Sequence, residues 1–521
     1  MNAREAARFT KYRPAPGAPT AIPSQPESGD ASRRMTAVAI DRPAARPSSP
    51  ALEALRDERA RFLVLWVIPI MVGALVSFAP PVLGDGDTFW HIAAGRWMLA
   101  HGAAPATDPF SFTFVGRPWV AHEWLSEVAM AGAWLAAGWS GVMLLAGLTA
   151  AALAALMGGW LLRWLSPLST LAALALGFAC IAPGVLARPH FLALPLLALW
   201  TIALMDARAN DKAPSPALAL VVALWANLHS SFLLAFLIAG GFALETLLDL
   251  RAWRWRVIAG WAAFLALSAL AALATPHGLE GVTFPLKMLT MKAMDVVVEW
   301  QPPDFMKPSP LEVALLAGVL VAFWRGVRLT AARTLILLGL LHMSLQHVRH
   351  EMLLGVVAPL ILAEPLGRAL GRTEAKEVTW GMPAPQTALG AFLIAAVVIG
   401  RLATPLARVD GPTSPVSALA SVAPALRAQP VLNDYDFGGY LIFQGVRPYI
   451  DGRTDMYDAF VADDDLIQRG DHAALDRAIA RYKIRWAIIR PTRPLAAALA
   501  HTPGWKRTYA DKYAVVLVKT S

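Results

Sequence analysis

Long apolar runs recur along most of this 521-residue chain, and they restrict its fold more than any other feature. In lipid, every backbone polar group must find a partner within the protein, so an apolar run of about 17–25 residues predicts a membrane-spanning helix. Hydrophobic residues make up 56% of the chain and charged residues 16%, whereas soluble domains are usually about 25% charged. The sequence therefore predicts an all-α polytopic membrane protein.

About eleven segments have the length and composition of a membrane span. They lie near residues 62–82, 140–162, 167–186, 190–206, 214–230, 232–249, 255–274, 309–325, 331–346, 350–367 and 386–404. The basic stretch "RDERARF" precedes the first span and predicts a cytoplasmic amino terminus, because short cytoplasmic loops carry an excess of Lys and Arg. An odd number of spans then places the carboxyl end on the outer side.

Composition divides the chain into three parts. Residues 1–60 are rich in Pro, Ala, Ser and Arg, which predicts a disordered cytoplasmic tail. Residues 61–405 form the predicted transmembrane domain, and residues 83–139 are its first outer loop. Within that loop, residues 122–138 carry two glutamates and predict a helix that lies in the outer interface without crossing. Residues 406–521 show turn signals and alternation, which predict a small extracytoplasmic α/β domain.

The carboxyl-terminal segment contains four predicted short strands and one helical stretch. The strands are expected in "PVLNDYDFGGYLIF", "VRPYIDGRTDMY", "IRWAIIRP" and "KYAVVLVK". The helical stretch is "DDDLIQRGDHAALDRAIARY". The acids and aromatic residues of "DYDFGGYL" could bind a sugar, but a Gly-Gly turn between core-packing strands is the alternative. We interpret this domain as acceptor-binding or scaffolding.

The formal net charge of +9 does not indicate nucleic-acid binding in this chain. Lys and Arg lie mostly in short loops between apolar runs, as in cytoplasmic loops of membrane proteins. We therefore expect membrane lipids, and no nucleic acid, as partners.

The stretch "GDGDTFWHIAAGRWML" follows the first apolar run and contains Asp85, Asp87 and His91. Asp87 could simply cap the helix that follows, since its side chain can accept orphan backbone N–H groups. Capping explains one of the two carboxylates but not both. Charged groups at a membrane boundary are energetically costly and are often functional. The two aspartates are candidate catalytic groups. Together with His91 they could hold a divalent cation, although no cofactor is certain.

Further polar side chains fall in or beside the segments that we place on the outer side. A single His near a span end is usually satisfied by interhelical hydrogen bonds, but their collection on one side predicts a polar cavity that opens outward. The candidate substrate-binding residues are His91, Asp108, His122, Glu123, Arg188, His190, Asn227, His229, Glu299, Arg349 and His350. Either Arg188 or Arg349 could hold a phosphate; for Arg188, helix capping or snorkelling is the alternative.

From about residue 60 onward the chain resembles the GT-C-fold membrane glycosyltransferases. The resemblance rests on "DGDTFWHIAAGR", "DPFSFT", "HEWL", "WANLHSSFLLAF" and "EWQPPDF". The tail pattern "NDYDFGGYLIF … YIDGRTDMY" is similar to the tails of bacterial proteins of this kind. In GT-C enzymes the first outer loop carries an acidic catalytic motif. The resemblance therefore implies that Asp85 or Asp87 is the base or holds a metal, and that the donor is a sugar on a polyprenyl phosphate.

The leading hypothesis is a glycosyltransferase in the bacterial inner membrane. It would transfer a sugar from a polyprenyl-phosphate donor to a lipid, glycan or protein acceptor on the periplasmic side. A transporter or flippase is a second hypothesis, although no internal repeat is visible and the acidic groups cluster at the outer boundary. A non-catalytic protein of envelope assembly is a third, because a fold can host other functions.

Overall fold

The computed structural model describes residues 50–249, 255–288, 290–291 and 297–520. Most of the predicted tail, residues 1–49, lies outside this part of the chain. The first helix begins at Pro50, so the last residues of the segment predicted as a disordered tail are helical. This helix continues through a π-helical turn, Leu63–Val67, into the helix Ile68–Phe78. Together they form the apolar stretch Leu55–Phe78, which is long enough to cross a membrane.

Helices dominate the region from Pro50 to Ala403. They are α1 Pro50–Phe62, α2 Ile68–Phe78, α3 Asp87–His101, α4 Trp124–Leu162, α5 Pro167–Ile181, α6 Pro189–Leu192, α7 Leu194–Ala209, α8 Ala219–Leu228, α9 Leu233–Leu248, α10 Trp255–Ala272, α11 Leu279–Met288, α12 Pro310–Arg325, α13 Ala331–Gln346, α14 Glu351–Ala369 and α15 Ala384–Ala403. Most of these helices contribute to one large apolar core, in which α4, α7, α9 and α14 supply many of the buried side chains. The prediction of a mostly helical protein is confirmed.

Within the described residues, eight helical segments are long and apolar enough to span a membrane, whereas the sequence predicts about eleven. Each predicted span coincides with a helix. Those near 214–230, 309–325 and 331–346 correspond to helices of ten or sixteen residues, namely α8, α12 and α13. Turns shorten them, as at His229, which is extended between α8 and the next turn.

Helix α4 contains a break at the boundary that the sequence predicts between an outer helix and a span. Ala137 leaves helical geometry, and Gly138 follows with φ +56° and ψ −143°. A side chain at Gly138 would be strained, because L-residues rarely adopt this backbone region. The 39-residue helix is therefore two helices joined at a glycine. The interfacial position of the first one stays a prediction.

The carboxyl-terminal part contains one small sheet and several short helices. The strands are β1 Val431–Asn433, β2 Trp486–Ile489, β3 Trp505–Ala510 and β4 Val515–Lys519. The helices are α16 Val416–Ala420, α17 Pro424–Arg427, α18 Gly438–Phe443, α19 Thr454–Tyr457, α20 Ala459–Gln468, α21 His472–Tyr482 and α22 Pro494–His501. The sheet order is β1-β2-β4-β3, with β1 parallel to β2 and the other pairs antiparallel.

Both faces of the sheet are buried along β2, which explains why this strand is apolar throughout, whereas most of β3 is exposed. Trp486 and Ile488 of β2 belong to one apolar cluster, and Ala487 and Ile489 belong to another. Successive side chains point to opposite faces of a strand, so each face receives its own core. A small carboxyl-terminal α/β part with four strands is confirmed.

Two of the four predicted strand stretches are wrong in part or in whole. In the first stretch only Val431–Asn433 is extended, and "GGYLIF" is the helix α18. The second, "VRPYIDGRTDMY", contains no strand and ends in α19. Gly438 and Gly439 are not a hairpin turn: a Cβ on Gly439 would overlap the carbonyl oxygen of Gly86. Gly439 thus permits close packing of α18 on the start of α3, and Gly438 permits a close approach to Ile450 and Asp451.

Candidate functional site

The two aspartates have different positions at the start of α3. The helix begins at Asp87, and Asp85 Oδ1 accepts a hydrogen bond of 2.7 Å from the Asp87 backbone N–H. Asp85 therefore satisfies one of the orphan donors of this helix end. The side chain of Asp87 is free of that task, and its Oδ1 accepts from Trp90 Nε1 at 2.9 Å. The alternative that Asp87 is only the N-cap of α3 does not hold, because Asp87 is the first helical residue and Asp85 accepts its backbone N–H.

The guanidinium of Arg188 lies between three carboxylates. Its Nη2 is 2.8 Å from Asp87 Oδ2, its Nη1 is 3.3 Å from Asp85 Oδ2, and it also contacts Glu299 directly. Arg188 is extended because it precedes Pro189, which disfavours helical geometry in the residue before it. Burial disfavours its charged form, but the carboxylates outweigh burial and hold the pKa of Arg188 well above its usual value.

The pKa values of two of these carboxylates, Asp87 and Glu299, shift in opposite directions. Burial raises the pKa of Asp87 well above its usual value, and the opposing effect of Arg188 is smaller. For Glu299 the charge of Arg188 is the largest effect, and it lowers the pKa to about 2. Glu299 is therefore a permanent anion, while Asp87 binds a proton more readily than an exposed aspartate.

Arg349 lies on the other side of Glu299. Its Nη1 is 4.0 Å from Glu299 Oε2, and its guanidinium lies 4.8 Å from the ring centroid of Trp300. The turn that carries Arg349 is attached to the "EWQPPDF" segment, since the backbone N–H of Val348 donates to the Gln301 carbonyl at 3.0 Å. Two motifs that are far apart in sequence thus meet at one point.

A second cluster surrounds Glu123. Its carboxylate is 3.3 Å from His229 Nε2, 3.7 Å from His122 Nε2 and 3.9 Å from His91 Nε2. His229 Nδ1 accepts from the Ser231 backbone N–H, which places its ring proton on Nε2, facing Glu123. Burial raises the pKa of Glu123 and lowers the pKa of His91 and His229.

These groups line one polar cavity of about 470 Å³. The transmembrane part contributes Asp85, Asp87, Trp90, His91, Trp119, His122, Glu123, Glu127, Arg188, His229, Glu299, Trp300 and Arg349. The carboxyl-terminal part contributes Tyr435, Asp436, Gly439, Gly452, Thr454, Asp455, Asp464, Asp465, Gln468 and Arg493. We name it the polar cavity. It contains more carboxylates than arginines, and aromatic rings line it beside the charges.

The carboxyl-terminal part approaches Asp87 closely. A Cβ on Gly452 would overlap Asp87 Oδ1 and would lie 3.0 Å from Trp90 Nε1. Only glycine leaves room for the aspartate at this position. The "DGRTD" stretch therefore forms a wall of the polar cavity beside the candidate base.

A second cavity of about 390 Å³ adjoins the polar cavity and shares part of its lining. Its lining is mostly apolar and includes Leu186, Leu233, Leu234, Leu237, Met343 and Leu353. We name it the apolar cavity. Both cavities are lined by His229, Ser230, Met288, Glu299, Trp300 and Arg349. Arg349 and Glu299 therefore lie at the boundary between the two cavities. Arg188, Asp85 and Asp87 line the polar cavity but not the apolar cavity.

The polar cavity brings together nine of the predicted site residues: Asp85, Asp87, His91, His122, Glu123, Arg188, His229, Glu299 and Arg349. His190 and His350 instead line the apolar cavity. Each ring donates an N–H to a backbone carbonyl, His190 Nε2 to Gly184 at 2.9 Å and His350 Nδ1 to Met343 at 3.2 Å. Asn227 lines neither cavity. Its side chain is used by Trp124 Nε1 and by the carbonyls of Ala223 and Ala274, so it joins helices.

Asp108 is also absent from the linings of both cavities, which corrects its prediction as a substrate ligand. It is fully buried and pairs with the fully buried Arg453 at 2.6 Å. Arg453 also binds Asp451 through two nitrogens, each at 2.7 Å. This network joins the first outer loop to the "DGRTD" stretch, and its role is to position both.

The predicted metal set of Asp85, Asp87 and His91 does not assemble. His91 Nδ1 faces Glu127 Oε1 at 3.2 Å, and the aspartates bind Arg188. Among the residues that the structure describes, no group of three or more His, Cys, Asp or Glu is placed to hold a metal ion. The arrangement of Asp85, Asp87 and His91 does not fit a divalent cation.

Sequence reasoning missed the carboxyl-terminal residues of the site, including Asp455, Asp464 and Gln468. The motif "DYDFGGYL" carries a signal, because its acids and aromatic residues are typical of a sugar-binding stretch. The helix that contains Asp464 and Gln468 carried none beyond its acidic run "DDD". An acidic run on a helix usually marks a solvated face, whereas Asp464 and Gln468 are only 3% and 4% exposed.

No family model and no curated protein matches the chain. Among solved structures, it is similar to the Archaeoglobus fulgidus oligosaccharyltransferase tethered with an acceptor peptide containing the NVT sequon. The identity is 10%, the match covers 90% of this chain and 75% of that chain, and the TM-score is 0.47. For the apo form of that enzyme the identity is 10%, the coverage is 82% and 69%, and the TM-score is 0.34. At this similarity neither structure assigns a function, so the function is argued from the two cavities.

Proposed function

We propose that this protein is a membrane glycosyltransferase that moves a sugar from a polyprenyl-phosphate donor to a hydroxyl-bearing acceptor. The observation that carries the proposal is the junction of the polar and apolar cavities at Arg349. A lipid phosphate needs apolar space for its chain, a cation for its phosphate and a polar space for its sugar. The two joined cavities offer these three environments in that order.

Arg349 is the residue that we assign to the donor phosphate. It lines both cavities, and Glu299 lies 4.0 Å from it, so the guanidinium retains free donors for a phosphate. Its forked N–H groups suit phosphate oxygens. Arg188 lies outside the apolar cavity and holds three carboxylates already. We assign to Arg188 the positioning of Asp85 and Asp87.

Asp87 is the residue that we assign as the general base. Its raised pKa makes its ionised carboxylate a better proton acceptor than an ordinary aspartate. In the transfer step the acceptor oxygen forms a bond to the sugar's anomeric carbon, and the bond from that carbon to the phosphate oxygen breaks. The acceptor proton moves to Asp87, and the polyprenyl phosphate leaves with the electron pair. Arg349 stabilises the negative charge that develops on the phosphate.

The proposed function includes a side of the membrane for the first outer loop and the carboxyl-terminal part. The basic loops predict a cytoplasmic amino terminus, and the first outer loop and the carboxyl-terminal part contact each other, for example where Thr113 Oγ1 donates to the Tyr449 carbonyl at 2.7 Å. We place both on the periplasmic side of a bacterial inner membrane. The donor would then enter from the lipid and the acceptor from the periplasm.

Mass spectrometry of lipids that co-purify with the protein tests this function. We expect polyprenyl phosphate, or its glycosylated form, with the wild type and much less with Arg349→Gln. The double variant Asp85→Asn/Asp87→Asn should enrich the glycosylated form, because it binds the donor but cannot accept the proton. Asn also caps helices well, so folding should survive.

Arg368→Gln is the matched control, since Arg368 is exposed at the opposite end of α14 from the Arg349 turn. It should retain the lipid. Bulk phospholipid alone in every preparation would refute a lipid-linked donor. Transfer that persists in the double Asn variant would refute catalysis by these aspartates and favour the assembly-protein hypothesis.

A further inference from the structure

The wall of the polar cavity that comes from α20 contains a polar atom without a partner. Gln468 is 4% exposed and lines the cavity, and its Oε1 is buried without a hydrogen-bond partner among the described residues. Both hydrogens of Nε2 are in use, since Nε2 donates to the Asn433 carbonyl and to Asp464 Oδ1, each at 3.2 Å. A buried acceptor without a donor is unfavourable, so this atom points to a donor from outside the chain.

Asp464 supplies the complementary group. It lies one helical turn before Gln468 and lines the same cavity, and it is 3% exposed. Burial raises its pKa to about 8, although the hydrogen bond from Gln468 opposes this. At neutral pH the carboxyl is therefore mostly protonated. Because its Oδ1 accepts from Gln468, its other oxygen can carry the proton and donate it.

An acceptor amide oxygen beside a carboxylic acid matches one hydroxyl group, which both donates and accepts. Asp455 adds another acceptor in the lining of the same cavity, since its Oδ2 is buried without a partner among the described residues. Burial raises the pKa of Asp455 as well, so this wall carries less negative charge than its composition indicates. Three side chains of one cavity that can each pair with a hydroxyl indicate a ligand with several hydroxyls rather than a phosphate or a cation.

None of these three side chains lines the apolar cavity. A ligand bound to them therefore contacts side chains of the polar cavity that the apolar cavity does not share. Gly452 and Thr454 also line the polar cavity, and Gly452 lies against Asp87. A polyol bound to the carboxyl-terminal side chains therefore shares this cavity with the candidate base.

We propose that Asp464, Gln468 and Asp455 form a subsite for the hydroxyl groups of a sugar, supplied by the carboxyl-terminal part of the chain. Recognition of the hydroxyls follows from the geometry of this wall, while their assignment to a sugar rests on the proposed function. The sugar is either the acceptor glycan or the sugar ring of the donor. The carboxyl-terminal part is then a substrate-binding element and not only a scaffold.

Saturation-transfer NMR with the full chain in lipid nanodiscs tests the subsite, with methyl glycosides of common hexoses and pentoses as probes. We expect at least one probe to bind the wild type and to bind Gln468→Leu about 3- to 10-fold more weakly, the usual contribution of one hydrogen bond. Gln429→Leu is the control, since Gln429 is an exposed glutamine of the same part of the chain. Its binding should equal that of the wild type.

Asp464→Asn separates recognition from structure. Asn can still accept from Gln468 and donate to a hydroxyl, so it should bind the probe at neutral pH as the wild type does. Wild-type binding should weaken as pH rises through the raised pKa of Asp464, because the donating proton is lost, and binding by the Asn variant should not. Equal pH profiles for the two proteins, or no probe bound by the wild type, would overturn the subsite.

Two further readouts distinguish the outcomes. If the lipid-linked donor co-purifies with the wild type but no probe binds, the subsite is refuted and the transferase proposal stands. If a probe binds but no lipid-linked donor is found, the transferase proposal fails and a polyol site remains. With the donor in hand, Gln468→Leu should raise the KM for the acceptor if the acceptor occupies the subsite. If the donor sugar occupies the subsite, Gln468→Leu should instead raise the KM for the donor.

Discussion

Replacement of Arg453 by methionine should uncouple the first outer loop from the carboxyl-terminal part. The change keeps most of the side-chain volume and removes a buried charge that binds two buried carboxylates. Arg453, Asp108 and Asp451 have no exposed side-chain surface, and the ion-pair distances are 2.6 and 2.7 Å. Loss of one partner from a buried ion pair costs about 3–5 kcal/mol, because the remaining charges stay buried and unpaired.

Hydrogen exchange measures this cost locally. A loss of about 3–5 kcal/mol corresponds to roughly two to four orders of magnitude in the local opening equilibrium. Amides of residues 106–119 and 447–457 should exchange faster by that amount in Arg453→Met, since backbone hydrogen bonds and the Arg453 pairs join these two segments. Amides in the core of α4 and α7 should be unaffected.

Arg507→Met is the control, because Arg507 is exposed on β3 and changes of this kind usually stay within about 0.5 kcal/mol. Asp108→Asn should cost less than Arg453→Met, since the amide can still accept from Arg453 and from the Phe110 N–H. Unchanged exchange in both segments of Arg453→Met would refute the view that this network positions the loop against the "DGRTD" stretch.

Three other predictions concern Asp87 and the break in α4. Gly452→Ala should abolish sugar transfer while the protein still folds, because a Cβ would displace Asp87, and Gly381→Ala, with nothing within 4 Å, should not. Transfer should accelerate as pH rises through the raised pKa of Asp87, because only the ionised carboxylate accepts a proton, and a rate independent of pH would contradict its role as base. Gly138→Ala should lower stability by about 1–3 kcal/mol in thermal unfolding, because Ala is strained at φ +56°, whereas Gly132→Ala should not.

The helical part of the fold was largely predictable because its signal is local. Every predicted span coincides with a helix, and the break at Gly138 falls at the predicted end of the outer helix. The count of spans was not predictable, because short apolar segments such as Pro216–Leu228 are ended by turns that hydropathy does not register. In the carboxyl-terminal part, "GGYLIF" has the composition of a strand, but it packs as a helix on α3.

The sequence predicted the site residues of the transmembrane part but not those of the carboxyl-terminal part. Asp87, Glu123 and Arg349 stand next to spans, and polar residues at span ends are conspicuous against apolar sequence. Asp464 and Gln468 lie on a helix with ordinary polar composition, where nothing local distinguishes a buried side chain from a solvated one.

The sequence by itself determined the apolar helices, the basic loops between them and the collection of polar side chains near the ends of those helices. Those features follow from hydrophobicity and periodicity over a few turns of chain. The tertiary structure alone decided which of the polar side chains meet. Arg188 reaches Glu299 across 111 residues, and Arg453 reaches Asp108 across 345. Such contacts depend on how the whole chain packs, because the energy of a buried charge is set by the partner that folding brings to it.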